Sequence, residues 1–192
     1  FLRVRADLAL NALSSGVSSG KLDVFVDASV GKQDLVRCMA GMPAGFLRRW
    51  PNYPLSLKAS VSGNMKRAAL NGVAVNLPTA FSISGKGNLS NITDSKARTH
   101  NLDFVTSLIG NPSLRIPGGI AVDGRLMAKG TKYDVDMVAS EGGGRLKFVA
   151  AMNTSGMIYM AKADAKALNV SHFVPGLSMK PFSGNINING KG

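Results

Sequence analysis

Two histidines, one cysteine and eleven carboxylates are the side chains of this 192-residue chain best suited to proton transfer, nucleophilic attack or metal ligation. His100 stands between Thr99 and Asn101, and His172 between Ser171 and Phe173. A zinc site needs three or four nitrogen, sulfur or carboxylate ligands at short, regular spacing, and neither histidine has one nearby in sequence. Both read as structural. Cys38 lies beside Met39 in a short segment of helical pattern, without the histidine or helix-start setting that activates a thiol, so it reads as a small hydrophobe. A single cysteine makes no internal disulfide.

Gly85-Lys86-Gly87 resembles the opening of a phosphate loop, yet position 90 is Ser90 and no helical pattern follows, so a hairpin turn is expected there. Gly142-Gly143-Gly144 before Arg145 has the composition of an anion nest, but three glycines between two alternating runs read as a flexible turn. The carboxylates Asp123, Asp134, Asp136 and Glu141 are isolated from one another, and Asp134 and Asp136 share a wet strand side with Lys132. No enzyme activity, cofactor or metal is expected.

Composition directs attention elsewhere. Forty-five per cent apolar residues exceed what a disordered chain carries, and 22 glycines with 8 prolines follow no collagen period. The net charge of +12 is spread over both halves rather than gathered in a tail, which favours an anionic neighbour without naming one. With aromatics at 6% and one tryptophan, the stacking platform of a single-strand nucleic-acid binder is missing, so nucleic acid is not the expected partner. The chain opens at Phe1 without a leader pattern, and no apolar run approaches the ~20 residues that span a bilayer. It reads as a segment of something longer.

What must position any functional surface is a set of strands. Leu55, Leu57, Ala59 and Val61 alternate with Ser56, Lys58, Ser60 and Ser62. The same period-two pattern runs through Leu22 to Asp27, Lys132 to Met137, Arg145 to Ala150, Met157 to Asp164, and Ile186 to Ile188. Short breaks at Ser62-Gly63-Asn64, Gly85-Lys86-Gly87-Asn88, Ala128-Lys129-Gly130-Thr131, Gly142-Gly143-Gly144 and Thr154-Ser155-Gly156 are turn chemistry. Links this short join antiparallel neighbours, so the pattern predicts a mainly β fold of about ten strands in one long, curved antiparallel meander.

Three segments break the alternation and predict helical turns: 32–37, 101–106 and 169–174. Their residues Leu35, Phe104 and Phe173 are evenly spaced. Strands are expected to reopen at Pro54-Leu55, Ile116-Pro117 and Pro181-Phe182. A unit of about four strands with a short helical turn therefore repeats, with approximate bounds 1–53 (partial), 54–113, 114–180 and 181–192 (partial). One apolar sheet face without a long amphipathic helix to cover it must fold over itself or shelter something else apolar.

The order of these pieces resembles the AsmA-like family, and within it the TamB type found in the translocation and assembly module of diderm bacteria. The resemblance covers residues 21–190. It is carried by Gln33-Asp34-Leu35-Val36 after a strand, by the hairpins from Leu55-Ser56-Leu57 through Gly63, by Leu114-Arg115-Ile116-Pro117 leading to Val122-Asp123-Gly124, and by Lys132-Tyr133-Asp134-Val135. Further on come Met157-Ile158-Tyr159, Ala167-Leu168-Asn169-Val170 and Gly184-Asn185-Ile186-Asn187-Ile188-Asn189-Gly190. The resemblance implies an open, taco-like β-groove or half-barrel with a greasy interior, periplasmic, in a protein anchored to the inner membrane by a segment outside this sequence. It implies phospholipid movement and outer-membrane biogenesis, with an outer-membrane assembly protein as partner of the full-length protein. The terminal domain that meets that partner is not in this sequence, so no docking residue is carried over.

Strand parity places Leu57, Val61, Val75, Phe81, Ile83, Val135, Met137, Leu146, Phe148, Met152 and Tyr159 on the groove lining. Lys86, Arg98, Lys129 and Arg145, read as near turns, are expected at a rim where phospholipid head groups would lie. Small and flexible residues such as Ala59, Ala150, Met152, Ala161, Ala163 and Ala165 leave room for acyl chains, or else let two sheet layers approach closely. A second reading is a scaffold or chaperone module for outer-membrane protein assembly that works by β-strand addition, with self-association through open sheet edges.

Overall fold

The computed structural model describes residues 1–8, 20–38, 44–173 and 177–191. Its strands are β1 (Leu2–Leu8), β2 (Lys21–Val30), β3 (Leu55–Asn64), β4 (Arg67–Leu77), β5 (Phe81–Ser90), β6 (Thr99–Leu108), β7 (Ile120–Lys129), β8 (Lys132–Glu141), β9 (Gly144–Asn153), β10 (Ile158–Leu168) and β11 (Phe182–Lys191). Every strand pairs antiparallel with its sequence neighbours, giving one sheet in the order β1 to β11 that does not close into a barrel. The mainly β antiparallel meander expected from the alternation is the fold, with eleven strands where the pattern gave about ten.

Side-chain chemistry explains the tight connections. Asn64 Oδ1 accepts from the N–H groups of Lys66 and Arg67 at 2.9 and 2.8 Å, closing the β3–β4 turn. Asp94 Oδ1 accepts from Lys96 and Ala97 in the β5–β6 connection, and these donors hold its carboxyl below the usual carboxylate range. Asn153 Oδ1 accepts from Ser155 between β9 and β10. Gly130 and Gly142 supply left-handed residues in the two-residue β7–β8 and β8–β9 hairpins, at φ 58° and 53°.

Among the described residues, helical turns occupy three connections, all at one end of the strands. α1 (Lys32–Cys38) and α2 (Ala44–Arg49) join β2 to β3. A 3-10 turn, Pro112–Leu114, lies between β6 and β7, and α3 (Val170–Phe173) between β10 and β11. Gly31 begins α1, its N–H donating to Asp34 Oδ2 at 2.8 Å. Asn111 caps the 3-10 turn by accepting from Leu114, with Pro112 at the first position. Four strands stand between α2 and the 3-10 turn, and four between that turn and α3.

Several expectations are corrected here. Residues 101–106 are not helical but lie in β6, where Leu102, Phe104 and Thr106 face one side and Asn101, Asp103 and Val105 the other. The helical turn of that connection is at Pro112–Leu114, so Phe104 does not share the helical setting of Leu35 and Phe173. Gly85-Lys86-Gly87-Asn88 is not a turn; it is the middle of β5, paired with β6. The strand expected to reopen at Ile116-Pro117 begins at Ile120, because Asn111 and Ile116 form an isolated bridge that extends the loop. Met157 belongs to the β9–β10 turn, with φ 47°. Cys38 ends α1, and its side chain lies outside the described residues, as does Val174.

Among the described residues, tight packing is concentrated towards the strand ends. At one end Leu22, Met65 and Ala68 are buried, with Val24, Val61, Leu89 and Ile92 packed against them. Met65 and Ile92 come from two successive connections tied together by the Ile92 N–H to Met65 carbonyl bond of 2.9 Å. At the other end Leu77, Ala80 and Ile120 are buried, and the Ala80 carbonyl accepts from Ile109 and Gly110.

Candidate functional site

Directly opposed residues of an antiparallel sheet share a face, so the register converts the sequence alternation into a surface. Followed across the sheet, one row reads Val4, Val26, Ala59, Val73, Gly85, Phe104, Gly124, Met137, Phe148, Ala163, Ile186. All eleven positions are apolar. The rows on either side are apolar throughout except for Thr106. At the strand ends the same face carries His100 and Glu141, together with the hydroxyls of Tyr133 and Tyr159.

A ten-residue strand is about 34 Å long and ten inter-strand steps span about 48 Å, so the apolar face exceeds the size of any single side-chain cluster. A twist of roughly 20–25° per step winds it through more than half a turn.

Among the described residues no second sheet packs on this face. Along β7, positions 120, 122, 124, 126 and 128 are buried or half-buried, and 121, 123, 125, 127 and 129 are exposed. The apolar side chains are partly sheltered by one another rather than meshed with a second layer: Ile83 is 36% exposed, Met152 43%, Tyr159 46% and Ile186 55%. The whole chain exposes 12233 Å², against about 8,700 Å² for a compact monomer of this mass.

All eleven residues expected to line a groove, Leu57, Val61, Val75, Phe81, Ile83, Val135, Met137, Leu146, Phe148, Met152 and Tyr159, lie on this one face. Glycine adapts it to aromatic rings. A Cβ on Gly124 would stand 2.4 Å from the Phe104 ring, and one on Gly190 2.1 Å from that of Tyr159, so both rings lie across neighbouring glycines instead of standing up from the sheet.

The basic residues fare differently. Lys86 is in the middle of β5, opposite Asp103 on the polar face, and is therefore not a rim residue. Lys129 and Arg145 stand at strand ends, also on the polar face. Arg98 alone of the four meets a lining residue's row: its guanidinium bonds the Tyr133 hydroxyl and lies 5.9 Å from the ring centroid. The polar face is a solvated surface of ion pairs, with Arg125 and Asp103 at 2.7 Å and Lys21 at 2.7 and 3.0 Å from Asp7 and Asp23. Lys21 holds the Asp7 carboxyl below its ordinary range.

Glu141 is the group that sequence reasoning left without a role. It ends the apolar face of β8, is buried, and its Oε1 lies 2.6 Å from Nδ1 of His172 in α3. The two are 31 residues apart, so spacing gave no signal. Removing His172 leaves a buried carboxylate without that partner, whereas removing the carboxylate restores an apolar position. His172→Ala is expected to lower stability by about 1–3 kcal/mol, and Glu141→Leu by less, in urea denaturation.

His100 sits at the opposite end of the face beside Leu89 and Ala128, with a buried Nδ1 that has no hydrogen-bond partner. An unsatisfied buried polar atom costs about 1–3 kcal/mol, so His100→Leu is expected to raise the urea midpoint without changing its slope.

Among the described residues no cluster of three or more His, Cys, Asp or Glu side chains is arranged to hold a metal ion, and no helix is long and apolar enough to cross a membrane. No protein-family model, curated protein or solved structure matches the chain.

Proposed function

We propose that this chain is a non-enzymatic groove segment that shelters phospholipid acyl chains, part of a periplasmic, inner-membrane-anchored protein serving intermembrane lipid transport and outer-membrane biogenesis. The observation that carries the lipid reading is the unbroken apolar row across eleven strands, left half-exposed with no second layer over it among the described residues. The placement in the periplasm rests on the resemblance to TamB-type proteins alone.

The energetics favour an acyl chain as guest. Burial of each methylene contributes roughly 0.8 kcal/mol, so a chain of ~16 carbons gains on the order of ten kcal/mol before ordering losses. The attraction is non-directional, and successive positions along the row differ little in chemistry, which keeps barriers to sliding low. Directional polar groups would pin a ligand instead, and here, apart from Thr106, they stand at the strand ends or on the other face.

The test is organic extraction of the purified chain followed by lipid mass spectrometry. Phospholipid is expected in stoichiometric amount; a lipid-free extract from a folded, monodisperse preparation contradicts the proposal.

A further inference from the structure

The hairpin between β7 and β8 sets one lysine against another. Lys129 and Lys132 are directly paired at its base, and the residues beyond them in the same row are Thr99 and Asn153, so no carboxylate stands across from either. Like charges directly opposed destabilise a sheet. In the middle of the polar face the cations are matched instead: Asp103 lies between Lys86 and Arg125, and Asp136 lies on the other side of Arg125.

The neighbouring β5–β6 connection brings two more cations to the same place. The Gly130 N–H donates to the Arg98 carbonyl at 2.9 Å, Arg98 Nε donates to the Gly130 carbonyl at 3.4 Å, and the Lys96 carbonyl oxygen lies 2.7 Å from where a Cβ on Gly130 would stand. Lys96, Lys129 and Lys132 are exposed and Arg98 is half-buried. Among the described residues none of the four forms an ion pair. The carboxylates nearest along the chain are Asp94, whose Oδ1 accepts from the backbone of Lys96 and Ala97, and Asp134, which stands opposite Met127 and Ala151.

This hairpin tip also meets the apolar face. Arg98 bonds the Tyr133 hydroxyl and lies against its ring, and Tyr133 shares a row of that face with Ala128 and Met152. A molecule with its hydrocarbon on the face would bring its polar end to the four cations. Their ammonium and guanidinium N–H donors, left without a carboxylate, suit the oxygens of a phosphate group.

We propose that Lys96, Arg98, Lys129 and Lys132 form a phosphate-binding subsite that holds the head group of a phospholipid whose acyl chains lie on the apolar face. The inference rests on the groove reading and adds to it a point of attachment at one rim.

The test measures binding of phosphatidylglycerol, and of diacylglycerol with the same acyl chains, to the whole chain. Phosphatidylglycerol is expected to bind more tightly. Replacing both hairpin lysines, Lys129→Gln with Lys132→Gln, is expected to weaken phosphatidylglycerol binding about thirtyfold and to leave diacylglycerol binding unchanged. Lys147→Gln with Lys162→Gln removes the same charge from exposed positions elsewhere on the polar face and is expected to change neither. Inorganic phosphate, followed by phosphorus NMR line width, is expected to bind the parent far more weakly than the lipid does. Equal affinity for the two lipids, an equal loss in both double variants, or inorganic phosphate binding as tightly as phosphatidylglycerol overturns the subsite and leaves the groove standing. Failure of both lipids to bind overturns the groove and the subsite with it.

Discussion

Phe148→Glu is expected to lower phospholipid affinity about a hundredfold while the chain stays folded. Phe148 is half-buried in the central row, opposite Met137 on β8 and Ala163 on β10. A charged side chain placed against hydrocarbon costs about 2.5–3.5 kcal/mol, two decades in a binding constant. The fold loses less, because a carboxylate on a face that opens to solvent can remain hydrated. Lys147→Glu, the neighbouring residue on the exposed polar face, is the matched control and is expected to leave lipid binding unchanged. Binding is read by displacement of a fluorescent phospholipid, and folding by far-ultraviolet circular dichroism. Were the apolar face a meshed core, Phe148→Glu would unfold the protein.

The reverse pattern is expected for Leu77→Ala, with stability lowered by about 2–4 kcal/mol and no specific effect on bound lipid. Leu77 is 0% exposed at the end of β4, next to buried Ala80, whose carbonyl holds the long β6–β7 connection through Ile109 and Gly110. Truncation there removes buried methyl groups and leaves a cavity whose walls are tied by backbone hydrogen bonds and relax little. Urea denaturation measures the loss, and lipid per folded chain is expected to match the parent. Together the two substitutions separate the proposed groove lining from the packing that shapes the sheet.

How far the sequence carried the description follows from where the period of two holds. The eleven residues expected to line a groove share a face because alternation reports parity within a strand directly. Parity between strands depends on turns and bulges. In β4 the register shifts between Leu70 and Val73, so Ala68 and Leu70 join Val73 and Val75 on the apolar face although Asn71-Gly72 breaks the count. Counting back by two from Val75 would have put Asn71 there.

Residues 101–106 misled because Val105 stands among the polar positions and blurs the alternation, while the real cap-and-proline signal, Asn111-Pro112, lay just downstream. Gly85-Lys86-Gly87 has turn composition, but a Cβ on Gly87 would lie 2.7 Å from Leu102 Cδ2 and 2.1 Å from the Asn101 carbonyl oxygen; glycine there serves close approach within the sheet. The Glu141–His172 contact depends on α3 folding back toward the end of β8, which no local pattern encodes.

The most direct measurement compares two adjacent positions on β8. A benzophenone-bearing residue is introduced at Met137, on the apolar face, or at Asp136, on the polar one, and each protein is irradiated with radiolabelled phospholipid. The account predicts a lipid adduct at position 137 and none at 136. Equal labelling at both positions, or no adduct at 137 in a protein that carries lipid, would contradict it.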